Sequence, residues 1–128
     1  MRRPLLWLAP ALAYAALIFW LSHHPDPLPA LTGRLWDKVL HAVEYAALAA
    51  LLALGLGHLE PRRPVRAVLL AAALAAAYGL TDELHQAFVP RRDCSALDWA
   101  FDLMGAVVGG ILAVPFLRRW GARASIHP

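Results

Sequence analysis

Four long apolar runs divide the chain, and each is bounded by charge, by proline or by both. Residues 5–21 run without a polar break other than Tyr14 from Arg2-Arg3 to the breaker Ser22-His23-His24-Pro25-Asp26-Pro27. As a helix that run reaches roughly 26 Å, enough for a slightly thinned bilayer. Phe19, Trp20 and Leu21 stand where a cleaved leader needs small side chains, so a retained span is predicted. Residues 39–56 form the second run, apolar except for His41 and Glu44 near its start. The segment 57–64 holds Pro61, Arg62, Arg63 and Pro64, a polar turn that lipid could not hydrogen-bond, and it predicts an antiparallel hairpin. The third run, nearly all Ala and Leu, continues through Thr81-Asp82-Glu83-Leu84-His85-Gln86 as one helix over 65–86, and Pro90 ends the segment. The fourth covers 97–117, with Asp98 and Asp102 near its start, Gly105, Gly109 and Gly110 midway, Pro115 near its end, and Arg118, Arg119 and Arg123 behind it. The pattern predicts an all-α, integral membrane four-helix bundle, with residues 1–128 as a single transmembrane domain.

Composition agrees with that reading. A chain of 128 residues that is 60% hydrophobic and 16% charged has more apolar surface than one small core can hide. Four spans of about 20 residues leave no room for a separate soluble catalytic module, so any activity belongs to the bundle. Cys94 is the single cysteine, which excludes an internal disulfide and a thiolate metal cluster. The net charge of +3 does not point to nucleic acid, because the basic residues flank apolar segments and form no stripe. They orient the chain instead. Arg2, Arg3, Arg62, Arg63, Arg66, Arg118, Arg119 and Arg123 gather on one side, against Arg34, Lys38, Arg91 and Arg92 on the other. The positive-inside rule makes the first side cytoplasmic and predicts both termini there, with Trp7 and Trp120 at the inner interface and Trp20, Trp36 and Trp99 at the outer. The two halves show no convincing self-similarity, which weighs against a transporter built from inverted repeats.

The acids sort more sharply than the orientation rule requires. Only Glu60 falls on the arginine side, while Asp26, Asp37, Glu44, Asp82, Glu83, Asp93, Asp98 and Asp102 fall on the other. At 100° per residue, Asp37, His41 and Glu44 lie within about 60° of arc on the second helix, with Lys38 and Tyr45 adjoining. On the fourth, Asp98 and Asp102 share a narrow face with Gly105 and Gly109, so the acids stand above a small-residue seam suited to close helix approach. On the third, Tyr78, Asp82 and His85 share one face and Gly79, Glu83 and Gln86 the next. A charge inside a span costs at least about 2.5 kcal/mol, and such residues usually mark functional sites. Glu44 and Asp102 are the deepest, with His41, Lys38, His85, Arg91 and Arg92 as available partners. Clustered carboxylates and imidazoles suit proton transfer. The pairs His41 with Glu44 and Asp82 with His85 could share a divalent ion, although no ligand spacing is diagnostic. His23 and His24 read as a solvated loop pair, and Arg91-Arg92 as either a solvated pair or a clamp for phosphate or carboxylate.

The ordered set Asp37-Lys38-Val39-Leu40-His41 with Tyr45, then Tyr78-Gly79 with Asp82-Glu83-Leu84-His85-Gln86-Ala87-Phe88-Val89-Pro90 and an arginine, then Ser95, Asp98 and Gly105, resembles the VanZ-like family of small bacterial membrane proteins. The resemblance covers roughly residues 22–110. It departs at Asp102, where the family pattern usually has Asn, and at Arg91-Arg92-Asp93, where it has Gly-Arg. It implies a multi-pass protein of the bacterial cytoplasmic membrane, related to a teicoplanin-resistance accessory factor, and carries no settled reaction or cofactor. The expected function is an outward pocket that binds or processes an anionic lipid or a lipid-linked cell-wall precursor. Asp37, His41, Glu44, Asp82, Glu83 and His85 are the candidates for chemistry. Lys38, Tyr45, Gln86, Arg91, Arg92, Ser95, Asp98 and Asp102 are the candidates for substrate contact. A small proton-coupled transporter is the competing class, and a noncatalytic protein that positions an envelope enzyme through the glycine seam is the third; besides lipid, the partners expected are such an enzyme or further copies of the chain.

Overall fold

In a computed structural model of the chain, residues 4–25 and 34–126 are described, and all regular structure among them is helical. Asp26, Arg2 and Arg3, which entered the charge sorting, lie outside the described residues. A short 3-10 turn, Pro4–Leu8, leads into α1 (Ala9–Ser22), followed by α2 (Arg34–Leu59), α3 (Pro64–Gln86) and α4 (Ala96–Ile126). The stretches Trp36–Leu59, Pro64–Gln86 and Ala96–Arg123 are long and apolar enough to cross a membrane, while Leu6–Ser22 is a shorter apolar helix.

Pro10 explains the mixed first helix. It has no N–H, and its ring would crowd the Leu6 carbonyl in a continuous α-helix, so the backbone opens as a 3-10 turn and becomes α-helical at Ala9. The 3-10 rise of about 2.0 Å per residue lets turn and helix together reach roughly 31 Å. Three boundaries differ from the sequence expectation, one of them the end of α2, at Leu59 instead of 56. Helix α2 starts at Arg34 instead of 39, placing Asp37 in its first turn, where the partial positive charge of a helix N-terminus favours a carboxylate. Helix α4 passes through Pro115 and ends at Ile126 instead of 117. The missing Pro115 N–H frees one carbonyl, but buried Ala113 and Leu117 hold the segment against Ala53, Ala67 and Ala71 of α2 and α3.

The interior is built from small side chains. On α3, Ala67, Ala71, Ala75 and Gly79 form one buried row at helical spacing, and on α2 Leu48, Ala49 and Ala53 face them. Helices α2 and α4 lie closest. A Cβ at Gly105 would strike the carbonyl of Ala42, and one at Gly109 the carbonyl of Ala46. The seam therefore joins two backbones directly, as in tightly packed membrane helices. Outside, Val65, Leu69 and Leu74 of α3 and Val108, Ile111, Leu112 and Phe116 of α4 are exposed, an apolar jacket that water would not tolerate and lipid would.

The two ends are chemically distinct. At the arginine end, the His58 ring lies 3.6 Å from the Trp7 ring centre and 4.7 Å from that of Trp120. Both tryptophans assigned to one interface thus meet there. At the other end the acids converge.

Candidate functional site

Each helix delivers its polar residues by continuing its apolar face. On α3 the row Ala71-Ala75-Gly79 runs on into Asp82, Glu83 and Gln86, all buried. On α4 the face of Gly105 and Gly109 runs back to Asp102 and Asp98, and on α2 the face of Tyr45 runs back to His41. The centre is an imidazole between two carboxylates from different helices. His41 Nδ1 donates to Asp102 Oδ1 at 2.8 Å and stands 3.9 Å from Glu83 Oε1. Glu83 is oriented from its other oxygen, because the Ser95 backbone N–H donates to Oε2 at 2.7 Å. Gly79 makes room for Asp102: a Cβ at 79 would stand 2.8 Å from Asp102 Oδ2. Three buried carboxylate oxygens, Asp82 Oδ1, Glu83 Oε1 and Asp102 Oδ2, have no hydrogen-bond donor.

A cavity of about 50 Å³ opens beside this centre, lined by Ser22, Asp37, His41, Glu44, Asp82 and Arg92 among others. The described residues also line a wider basin of about 500 Å³, sharing Asp37, His41, Gln86 and Arg92 with the cavity and adding Lys38, Arg91, Ser95 and Asp98. Cavity and basin meet along those four shared residues.

Most of the residues singled out from sequence come together here, in different capacities. Glu44 and Asp37 line the cavity. Asp82 accepts from Gln86 Nε2 at 3.2 Å, within α3. Lys38 pairs with Asp98 across α2 and α4 and lies 3.7 Å from Asp37. The Ser95 hydroxyl accepts the Asp98 N–H at 3.2 Å, so it caps the start of α4. Tyr45 is buried, with its hydroxyl unpartnered and its ring edge 3.2 Å from where a Cβ at Gly79 would sit. Arg92 donates through Nε and Nη2 to the carbonyls of His24 and Leu21 at 3.2 and 3.4 Å, tying the α3–α4 loop to the end of α1. Arg91 is exposed at the basin, with φ at 66°.

His85 goes elsewhere. It turns to α1, sharing a 3.1 Å hydrogen bond with His23 and lying 4.8 Å from the Phe19 ring, while Tyr78 on the same face donates to the Ala15 carbonyl at 2.7 Å. The arc that groups Tyr78, Asp82 and His85 thus splits, Asp82 turning inward and the other two toward α1. His23 and His24 are likewise more than a solvated pair, since His24 Nδ1 donates to the Trp20 carbonyl at 2.6 Å. Sequence reasoning missed Ser22, buried at the cavity with an unpartnered hydroxyl, and the space-making role of Gly79. The only signal for either was position: a serine at the breaker of the first run, and a glycine one turn before two adjacent acids.

Apolar helices of membrane-spanning length, packed through small residues and closing over a buried His–carboxylate centre, define a small α-helical membrane protein with a polar pocket inside its bundle. The chain belongs to the VanZ/LLP1 family, whose family model matches residues 5–118. Neither a curated protein nor a solved structure matches it.

Proposed function

We propose that this protein sits in the bacterial cytoplasmic membrane as one transmembrane domain with both termini inside. Its pocket then faces outward and binds the headgroup of an anionic lipid or lipid-linked cell-wall precursor. The observation that carries the reading is a donor-less buried oxygen on Asp82 in the lining of a cavity that shares four residues with an arginine-bearing basin, with further donor-less oxygens on Glu83 and Asp102, the neighbours of His41 of that lining. A buried acceptor without a donor costs about 1–3 kcal/mol, more if charged, so a ligand bringing hydroxyl or ammonium groups into the cavity relieves that penalty. The phosphate end has its own partner. A non-glycine residue in the left-handed region costs about 1–2 kcal/mol, and Arg91 holds that conformation where the family pattern has the first residue of Gly-Arg. An exposed guanidinium at the basin rim suits a phosphate bidentately. His41, with Nδ1 committed to Asp102, keeps Nε2 for proton exchange with the occupant, in the manner of an imidazole oriented by a buried carboxylate. The link to glycopeptide resistance follows from the family resemblance and fits a precursor whose headgroup lies outside the membrane.

Lipid retention tests the reading. Native mass spectrometry of the purified full chain should show phosphatidylglycerol retained over phosphatidylcholine. Arg91→Gly should lower that preference about tenfold, the worth of one charge-assisted hydrogen bond, with no loss of melting temperature, because glycine takes φ 66° without strain. Equal retention of both lipids by the wild type, or an unchanged preference in Arg91→Gly, defeats the proposal. Orientation is testable separately, because Cys94 is the only cysteine and is exposed at the acidic end. A membrane-impermeant maleimide should label it in intact spheroplasts; labelling only after lysis would reverse the topology.

A further inference from the structure

We propose that His41 Nδ1, Glu83 Oε1 and Asp102 Oδ1 form a binding site for one divalent transition-metal cation of the Mn²⁺ or Zn²⁺ kind. The inference deepens the headgroup reading and rests on it only in assigning what meets the cation's remaining coordination position.

Geometry is the first support. His41, Glu83 and Asp102 each offer a ligand atom, and these atoms all lie within 4.8 Å of one another. The imidazole nitrogen is 2.8 Å from one carboxylate oxygen and 3.9 Å from the other. Ligands bound at about 2.0–2.2 Å around one ion stand roughly 3–3.5 Å apart, so small side-chain adjustments seat a cation among the three once His41 Nδ1 releases to solvent the proton it otherwise donates to Asp102, and Nε2 then carries the imidazole N–H. They come from three helices, and each is held from behind. Ser95 N–H grips the far oxygen of Glu83, the notch at Gly79 admits Asp102, and the Gly105–Ala42 approach sets the distance between α2 and α4.

The second support is independent of spacing. Glu83 is 1% exposed and Asp102 0%, yet each keeps a carboxylate oxygen without a donor, and the free oxygen of Glu83 is the one directed at His41. The local cations are held at the edge of the cluster, without a direct ion pair to Glu83 or Asp102. Lys38 pairs with Asp98, and Arg92 donates to the carbonyls of Leu21 and His24 at the end of α1 and just beyond it. Glu44, Asp82, Glu83 and Asp102 are thus four carboxyl groups gathered around one imidazole. In a low-dielectric interior that excess is relieved by protonation or by a compensating positive charge, and a dication supplies two charges in the volume of one atom.

Donor chemistry narrows the ion. One imidazole with two carboxylates and no thiolate suits Mn²⁺, Zn²⁺ or Fe²⁺, whereas Cu⁺ prefers sulfur and Ca²⁺ prefers oxygen alone. Three protein ligands leave a coordination position for water or a headgroup oxygen, and the cavity lined by His41, Glu44 and Asp82 lies beside it. A second group, Asp37, His41 and Asp98, also has ligand spacing. It is the weaker choice, because a cation there must displace the Lys38 ammonium from Asp98.

The test is Mn²⁺ binding to the full chain, purified in detergent and stripped with chelator, followed by equilibrium titration and pulsed electron paramagnetic resonance. One Mn²⁺ per chain is expected, with a ¹⁴N coupling from the imidazole. Glu83→Gln should weaken binding by about 100-fold or more, because even loss of a group that only supports a ligand costs up to about 100-fold at metal sites. Circular dichroism confirms folding of each variant. Should Glu83→Gln fail to fold, Asp102→Asn replaces it and the wild-type nitrogen coupling still decides. No saturable Mn²⁺ or Zn²⁺ binding by the folded wild type, a saturated ion without nitrogen coupling, or unchanged affinity in the folded variants overturns the proposal. So does binding lost in Asp98→Asn but kept in Glu83→Gln, which moves the ion to the other group. Lipid retention measured in chelator separates the two readings. Preference for phosphatidylglycerol without any metal binding rejects only the metal site, and metal binding without lipid preference rejects only the headgroup reading.

Discussion

Replacing Gly109 with valine should severely destabilise the folded bundle. A Cβ at this position runs into the Ala46 carbonyl, which is helix backbone and has no rotamer by which to retreat. Overpacking against flexible side chains already costs about 1–3 kcal/mol. Against backbone the two helices must part, and a loss of about 3 kcal/mol or more is expected, a large share of a typical folding free energy. Separation of α2 from α4 also pulls His41 away from Asp102, so site and fold should fail together. The measurement is thermal unfolding in detergent, with Val108→Leu as the neighbouring control. Val108 is 51% exposed on the outer face, and its variant should stay within about 0.5 kcal/mol of wild type. A Gly109→Val protein that melts with the wild type would mean that these backbones do not touch.

His41→Leu carries the other large expected effect. The imidazole donates to Asp102 and is the basic group nearest the unpartnered Glu83 oxygen. Without it, buried acid remains with nothing to compensate it, and removing one partner of a buried pair costs about 3–5 kcal/mol. Removing both members should be milder, because leucine at 41 and 102 leaves less buried charge. The double variant is therefore expected to recover at least half of the loss, and the recovery measures the coupling between the two positions. Unfolding in chelator isolates this protein-only contribution from any bound ion. A single variant that loses under about 1 kcal/mol would show that the imidazole and the carboxylate are not a buried pair.

Why these two positions dominate was only partly visible along the chain. The fourfold apolar pattern, the hairpin at 57–64 and the all-helical class all follow from hydrophobic length and breakers, which act locally. So does the placement of Asp98 and Asp102 on the same face as Gly105 and Gly109, because helical periodicity alone decides it. The ends of helices were less legible. The fourth run stops at 117, just past Pro115, but α4 continues to Ile126, and packing of Leu117 holds the turn that follows the proline. The second apolar run starts only at 39, but its helix begins at Arg34, since Asp37 suits a first turn.

Within the candidate site the division is similar. Periodicity places His41 and Glu44 on one face of α2, but no periodicity states which neighbour each face meets. Tyr78, Asp82 and His85 differ by no more than about 60° around their helix. Even so, Asp82 enters the pocket and His85 reaches His23, because α1 packs against one edge of that arc. Arg91 and Arg92 are adjacent, chemically identical and both at the basin, but the loop leaves Arg91 exposed there and gives Arg92 to the carbonyls of Leu21 and His24.

What the amino-acid order determined by itself was a set of membrane-length helices, the faces on which their polar residues fall, and the gathering of acid at one end, because hydropathy and the 3.6-residue repeat need no partner. Tertiary structure alone decided that His41, Glu83 and Asp102 meet, that Lys38 is taken by Asp98, and that Gly79 clears the space between them. Those outcomes depend on how closely backbones approach and how each helix is rotated against its neighbours, quantities set by packing across the whole bundle.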